Sequence, residues 1–239
     1  MELAKLTQLN EERRARRAVI LLTDLGDGSS RIVREGEKLD GELGEAVAKA
    51  FRSGKSGTIE ADGRTLFMNV HVPPARIVVI GAVHISQALA PMARIAGFDL
   101  EIIDPRAAFA TPERFAGVGL YAEWPEEVLR DRPLDRYTAL AALTHDPKID
   151  DFPLTAALEA GCFYVGALGS RKTNARRRER LVAGGLSEAQ FDRIAAPIGL
   201  DIGASSPAEI AVAILAQIIA ALRQRDLSGA LPGGAMAEA

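Results

Sequence analysis

The residues best suited to chemistry in this chain gather where apolar runs end. Thr144, His145, Asp146 and Pro147 leave the run that starts at Tyr137, and two more acids follow at Asp150 and Asp151. A histidine in that place can shuttle a proton or ligate a metal, since its unperturbed pKa lies near ~6.5. A lone histidine also often has only a structural part. The loop from Gly166 to Thr173 sets Gly166, Gly169, Ser170, Arg171 and Lys172 between a second apolar run and a basic segment, Asn174 to Leu181. Its N–H groups can wrap an anion while Arg171 supplies charge, although it lacks the Gly-Lys-Ser/Thr spacing of a P-loop. Arg176, Arg177, Arg178 and Arg180 read as a solvated helix face.

A third turn, Gly81-Ala82-Val83-His84-Ile85-Ser86, has valine and serine where a dinucleotide fingerprint has its second and third glycines. The helix start there still offers N–H groups to an anion. Asp104 stands where a ribose-reading acid would stand, ~20 residues beyond the turn, and Arg106 can meet a phosphate. The alternative is a strand-to-loop turn with a surface ion pair. Pro197 to Gly203 embeds Gly199, Asp201 and Gly203 among apolar residues, which a plain connector does not require. Ser205 or Ser206 can cap the helix that follows, with Pro207 in its first turn and Glu209 near the capping-box position. Cys162 reads as core and His71 as a boundary residue.

The elements that must position these groups follow from periodicity. Continuous apolar strands at 76–81, 100–104, 117–122, 137–144 and 162–168, with helical spacing between several of them, predict a mostly parallel sheet buried on both faces. Open sheets of this kind place ligands at the carboxyl ends of their strands. The fold class is therefore α/β, a Rossmann-like doubly wound sheet, closed by a long apolar helix from about Pro207 to Arg225. Ahead of it, residues 1–17 read as a polar helix, 18–35 as a hairpin around Gly26 and Gly28, Leu39 to Phe51 as a helix, and 57–70 as a second hairpin turning at Asp62-Gly63. Pro73 and Pro74 interrupt both helix and ladder. These signals divide the chain into a small α+β domain at 1–72, the Rossmann-like domain at 76–226 and a flexible Gly/Ala-rich tail at 227–239.

The 239 residues carry 29 Lys and Arg against 32 Asp and Glu, so the formal net charge of -3 offers no global attraction to nucleic acid or an anionic membrane. One cysteine excludes an intramolecular disulfide and suits a reducing cytoplasm. No N-terminal apolar segment with a small-residue cleavage site is present, and no stretch is read as approaching the ~20 apolar residues of a bilayer span. The expectation is a cytoplasmic protein without a membrane or nucleic-acid partner.

Read in order, these segments resemble the XdhC/CoxI family, accessory factors for molybdenum hydroxylases such as xanthine dehydrogenase and carbon monoxide dehydrogenase. The motifs that carry the resemblance are Gly81 with His84, Ile103-Asp104-Pro105-Arg106, Arg114-Phe115, Leu143-Thr144-His145-Asp146, Tyr164 to Arg171, Pro197 to Gly203 and Pro207 to Ala211. The resemblance implies a homodimeric chaperone that binds the molybdenum cofactor, molybdopterin, whose pterin bears a phosphate and a dithiolene-held metal. Such a factor protects the cofactor, receives its terminal sulfur from a cysteine desulfurase and passes it to the target enzyme. It places Gly81, His84, Asp104, Arg106, His145, Asp146, Gly166, Gly169, Ser170, Arg171, Gly199 and Asp201 around the cofactor. Two features differ from the family pattern: the N-terminal unit has no Gly-Cys stretch, and Val83 replaces a glycine. The residues alone leave two other readings, an NAD(P)-dependent oxidoreductase using Asp104 or Arg106 at the ribose and His145 as acid/base, and a docking scaffold with no ligand of its own.

Overall fold

A computed structural model describes residues 3–224, which fall into two compact units divided between Pro73 and Pro74. The expected tail at 227–239 lies outside the described residues.

The first unit holds α1 (Leu3–Arg14), β1 (Val19–Asp24), β2 (Ser30–Arg34), α2 (Gly41–Ser53), β3 (Gly57–Ala61) and β4 (Arg64–His71). Its strands form one antiparallel sheet in the order β2-β1-β4-β3. Asp62 and Gly63 both take positive φ, 52° and 72°, as a two-residue hairpin turn of the Asn/Asp-Gly kind requires. Val19, Ile20, Leu21 and Leu22 are all buried, so β1 is covered on both faces, with α1 against β1 and β2 and α2 against β1, β3 and β4. Glu12 on α1 is buried and accepts hydrogen bonds from Arg17 and Arg34, which ties the helix to β2. The Arg17 hydrogen bond, joined by those from Arg34, outweighs burial and holds the Glu12 carboxyl below the usual range.

The second unit contains β5 (Arg76–Ile80), α3 (His84–Ile95), β6 (Asp99–Ile103), β7 (Gly119–Tyr121), α4 (Pro125–Asp131), β8 (Thr138–Ala142), α5 (Pro147–Glu159), β9 (Tyr164–Ala167), α6 (Arg171–Ala183), α7 (Glu188–Phe191), β10 (Ile194–Ala195) and α8 (Pro207–Gln224). Its six strands are parallel throughout, in the order β10-β9-β8-β5-β6-β7. Counted from β5, this is the doubly wound order 3-2-1-4-5-6. The reversal of direction falls between β5 and β8, so the ligand crevice of such a sheet opens where Ile80 and Ala142 end their paired strands.

Alternate residues of each strand face opposite layers. Ile77, Val79, Ile102, Ala139 and Ala141 pack with Leu89 and Ala93 of α3 and Ala211, Ile214 and Ile218 of α8. Val78, Ile80, Ile103, Leu140 and Ala142 pack with α4, α5, α6 and α7 through Leu129, Leu154, Leu158, Leu181 and Phe191. Both layers are apolar, which is why these strands read as continuous apolar runs rather than alternating ones.

Two expectations need correction. The main sheet has a sixth strand, β10, that periodicity missed because two residues carry no period. The chain also does contain a helix long and apolar enough to cross a membrane by length and composition: α8, 18 residues with mean hydropathy 1.3. Here its Ala211, Ile214 and Ile218 stripe packs on α3 and the sheet. Length and apolarity are properties that a layer helix shares with a membrane span.

Candidate functional site

Three loops meet the carboxyl edge of the sheet near the reversal point. The first, after β5, consumes its own donors. Ala82 N–H donates to Asp104 Oδ2 at 2.8 Å, and Val83 N–H donates to the buried hydroxyl of Ser86 at 2.8 Å. Gly81 has φ of 122°, and a Cβ there would lie 3.0 Å from Thr144 Cγ2, so glycine is what lets β5 approach the end of β8.

Asp104 is fully buried, and Arg106 grips it through its own backbone N–H at 3.0 Å, Nε at 2.9 Å and Nη2 at 2.8 Å. Burial alone would push the Asp104 carboxyl up; the hydrogen bonds from Arg106 and Ala82 prevail and hold it below the usual range. The ion pair of the second reading for Asp-Pro-Arg forms, but not at the surface as that reading had it, since Asp104 is fully buried. Asp104 stitches the ends of β5 and β6 together. The guanidinium of Arg106 lies 4.8 Å from the Phe109 ring centroid and is held protonated first by its bonds to Asp104, then by the charges of Asp104, Asp146 and Asp150. That coupling brings the loop after β6 and the loop after β8 into one electrostatic group.

The second loop follows β8. Thr144 Oγ1 donates to Asp150 Oδ1 at 2.7 Å and accepts from Asp146 N–H at 3.1 Å; Asp146 caps α5 by accepting from Lys148 N–H at 3.0 Å. His145, exposed between them, has φ of 63°. Left-handed backbone at a residue with a side chain is sparsely populated and persists where the surroundings impose it. Here the hydroxyl of Thr144 reaches across His145 to accept from Asp146 N–H and is itself anchored on Asp150, which closes the turn around His145.

The third loop follows β9. Gly169, with φ of 142°, passes close over Thr173, and Ser170 caps α6 by accepting from Thr173 N–H at 3.2 Å. Arg171 opens α6 in an exposed position. Arg177, further along the helix, departs from the expected solvated face: it is 2% exposed and donates through Nη2 to the Leu168 carbonyl at 3.0 Å, pinning the helix to the strand end. Arg178 instead pairs with Glu188 and Asp192 beside the Phe191 ring, and Arg180 makes a two-pronged bond to Asp151 at 2.8 and 3.1 Å. Leu181, four residues after Arg177 and buried, was the available signal that this face of α6 turns inward.

Between α5 and α6, beside the loop after β8, lies a cleft of about 340 Å³, lined by His145 of that loop, Pro147, Asp150 and Asp151 of α5, and Lys172, Thr173, Arg176, Arg177 and Arg180 of α6. Two of its side chains are almost fully buried and incompletely paired: Asp150, 1% exposed, has no hydrogen-bond partner for Oδ2, and Arg177 has none for Nε. Burial pushes the Asp150 carboxyl up to about 6 against the opposing pull of Thr144 and Arg177, and burial lowers the pKa of Arg177 against the pull of Asp150 and Asp151.

The remaining candidates stand elsewhere. His84 is exposed on the first turn of α3. Gly166 packs, since a Cβ there would meet Tyr164 Oη at 2.4 Å and Ile198 at 2.7 Å. Gly199 lies against Ala213 of α8 and donates its N–H to Gln217 Oε1 at 2.8 Å. Asp201 is exposed in the segment before α8. Cys162 is buried, and burial pushes its thiol up to about 12, which keeps it protonated and unreactive. Among the described residues no group of three His, Cys, Asp or Glu side chains is arranged to hold a metal ion.

The doubly wound parallel sheet, with a polar, cation-rich cleft beside its carboxyl edge, defines the chain's class as a Rossmann-like α/β protein. Within that class the chain belongs to the XdhC family: the pattern of the XdhC Rossmann domain matches residues 77–218. It is 32% identical over 177 residues to the uncharacterized protein YqeB of Escherichia coli K12, covering 72% of this chain and 31% of that one. It is 31% identical over 155 residues to a protein of Bacillus subtilis 168 described as a probable xanthine dehydrogenase subunit, with 64% and 45% covered. Against the molybdenum cofactor insertion chaperone PaoD of Escherichia coli K12 it is 29% identical over 160 residues, with 67% and 44% covered. The chain thus spans less than half the length of each of these relatives. A crystal structure described as a xanthine dehydrogenase from Bacillus halodurans shares the fold with a TM-score of 0.62 at 23% identity, over 94% of this chain and 66% of that one.

Proposed function

We propose that this protein is an accessory factor of molybdenum-enzyme maturation that binds the molybdenum cofactor as cargo, shields it, supports its sulfuration and delivers it to a xanthine dehydrogenase-type hydroxylase. The reading supposes a cytoplasmic homodimer that also meets a cysteine desulfurase. The observation that carries it is the cleft between α5 and α6, in a chain of the XdhC family. The nearly buried Arg177 and Asp150 line it beside further cations, and one atom of each, Arg177 Nε and Asp150 Oδ2, has no hydrogen-bond partner. Buried polar atoms are nearly always satisfied, so this pair fits a cargo that brings acceptors and a donor of its own. Molybdopterin has both, in its phosphate and its pterin ring. Its metal is held by its own dithiolene, so the protein need not supply a ligand.

The same geometry weighs against a nicotinamide-dependent oxidoreductase. The N–H groups of Ala82 and Val83 at the first turn are already bonded, and Asp104, which would read the ribose, is closed by Arg106. The deciding experiment is molybdenum and pterin analysis of the protein purified anaerobically from a host that makes the cofactor. It is followed by titration of the emptied protein with molybdopterin. Saturable binding at micromolar concentration is expected; titration with no binding there, alongside a fluorescence response to NADH, would sink the proposal.

A further inference from the structure

The glycine-bearing turns after β5 and after β9 differ in the donors beside them. The N–H groups of Ala82 and Val83 after β5 are bonded internally, whereas the cleft at the start of α6 is lined by Arg177, whose buried Nε is unpaired, and by Lys172 and Arg176. The charge of Arg180 is matched by Asp151. The cations left over call for an anion, and the N-terminal turn of α6 adds its dipole. Asp150 narrows the choice. Its Oδ1 is bonded to the Thr144 hydroxyl, its Oδ2 is buried without a partner, and the residue lines the same cleft, so an anion seated there comes to lie near its carboxyl group. Two bare negative groups repel unless a proton lies between them.

We propose that the cleft between α5 and α6 is a phosphate-selective oxyanion subsite. Arg177 Nε, Lys172 and Arg176 neutralise the phosphate, and Asp150 Oδ2 shares one proton with a phosphate oxygen. A phosphate monoester carries or accepts that proton near neutral pH, having a second pKa of about 6. Sulfate carries none. A raised Asp150 pKa supports the arrangement, because either partner then holds the proton at little cost. The titratable and charged groups about Asp150 are Arg106 from the loop after β6, His145, Asp146 and Asp151 around the start of α5, and Lys172, Arg176, Arg177 and Arg180 from α6. The identification of the ligand as the terminal phosphate of the cofactor rests on the function proposed above; selectivity for phosphate does not.

The test is calorimetric titration of the whole chain with inorganic phosphate and with sulfate at pH 7.5 and constant ionic strength. Phosphate should bind about tenfold or more tightly than sulfate, the worth of one charge-assisted hydrogen bond. In Asp150→Asn that preference should collapse, chiefly because sulfate binds better. The double variant Lys172→Ala/Arg176→Ala, at two exposed positions, should weaken phosphate about tenfold while circular dichroism stays unchanged. Equal affinities for the two anions, or phosphate binding untouched by the double variant, would overturn the subsite. Competition with molybdopterin separates the two proposals. If phosphate displaces molybdopterin, the cofactor phosphate sits in the cleft. If phosphate binds selectively and molybdopterin does not bind, the subsite stands for another phosphomonoester and the cofactor reading fails. If molybdopterin binds and phosphate neither binds nor competes, the subsite fails and the carrier reading stands.

Discussion

Asp150 and Arg177 show how a side chain's surroundings decide its part. Asp150 titrates near 6 when folded, against about 3.9 in an unfolded chain. Its contribution to stability is therefore fully present below the unfolded value and lost as pH rises through about 6, because above that the fold must keep a poorly compensated charge buried. Replacing it with asparagine should raise stability at pH 7.5 by on the order of 2 kcal/mol in urea denaturation and flatten the pH dependence between about 4 and 6. A variant no more stable than the parent at pH 7.5 would show that a partner already compensates the charge. In the sequence, His145 and Asp146 drew notice by standing at a strand end, and the capping role expected of Glu209 is realised: it accepts from the N–H groups of Ser205 and Ser206, bonds that pull its carboxyl down to about 2. Arg177 was not legible as a site residue. Four arginines in five positions look solvated, and only helix phase against Leu181 separates the buried one from its neighbours.

At the level of elements, long periodic segments were legible and short ones were not. β5, α3, β6, β8, β9 and α8 stand where apolar runs and helical spacing place them, within the few residues by which element ends ordinarily vary. β10, at two residues, and α7, at four, are too short to show any period and are fixed by their neighbours: β10 by pairing with β9, α7 by Ser187 and Gln190 bonding each other across its first turn. Glycines posed the opposite difficulty, since sequence cannot tell one that admits a ligand from one that admits a side chain. Gly166 is of the second kind, with Tyr164 and Ile198 occupying the space beside it. Gly166→Ala should therefore cost about 1–3 kcal/mol through overpacking while ligand affinity in the surviving folded fraction stays within about twofold. Thermal denaturation read with and without phosphate separates the two effects, and a selective loss of binding would return Gly166 to the site.

For the molecule as a whole, each unit has its own sheet and buried core, and the Pro73-Pro74 pair marks the division between them in the sequence. A fragment from Pro74 to the end of the chain should accordingly unfold in a single cooperative transition and keep its affinity for inorganic phosphate within about twofold. A fragment lacking a cooperative transition would show that the second unit needs the first in order to fold. The fold class was legible because parallel strands buried on both faces have a composition of their own. The order of the strands was not, for sequence does not record which side of β5 receives β8, and that choice is what creates the crevice.

Since all six strands of the second unit point the same way, the domain has two edges with unequal freedom to change. One edge holds the three loops whose conformations are locked by Asp104, Thr144 and Ser170. The other returns the chain, tied near the strand starts by the buried Arg76 and elsewhere through turns such as those at Gly97 and Gly161, where φ is 82° and 69°. An engineer therefore has a place to put a fluorophore, an affinity handle or a tether to a surface: the returning edge, on the far side of the sheet from the cleft, where an added group leaves the approach of a ligand clear.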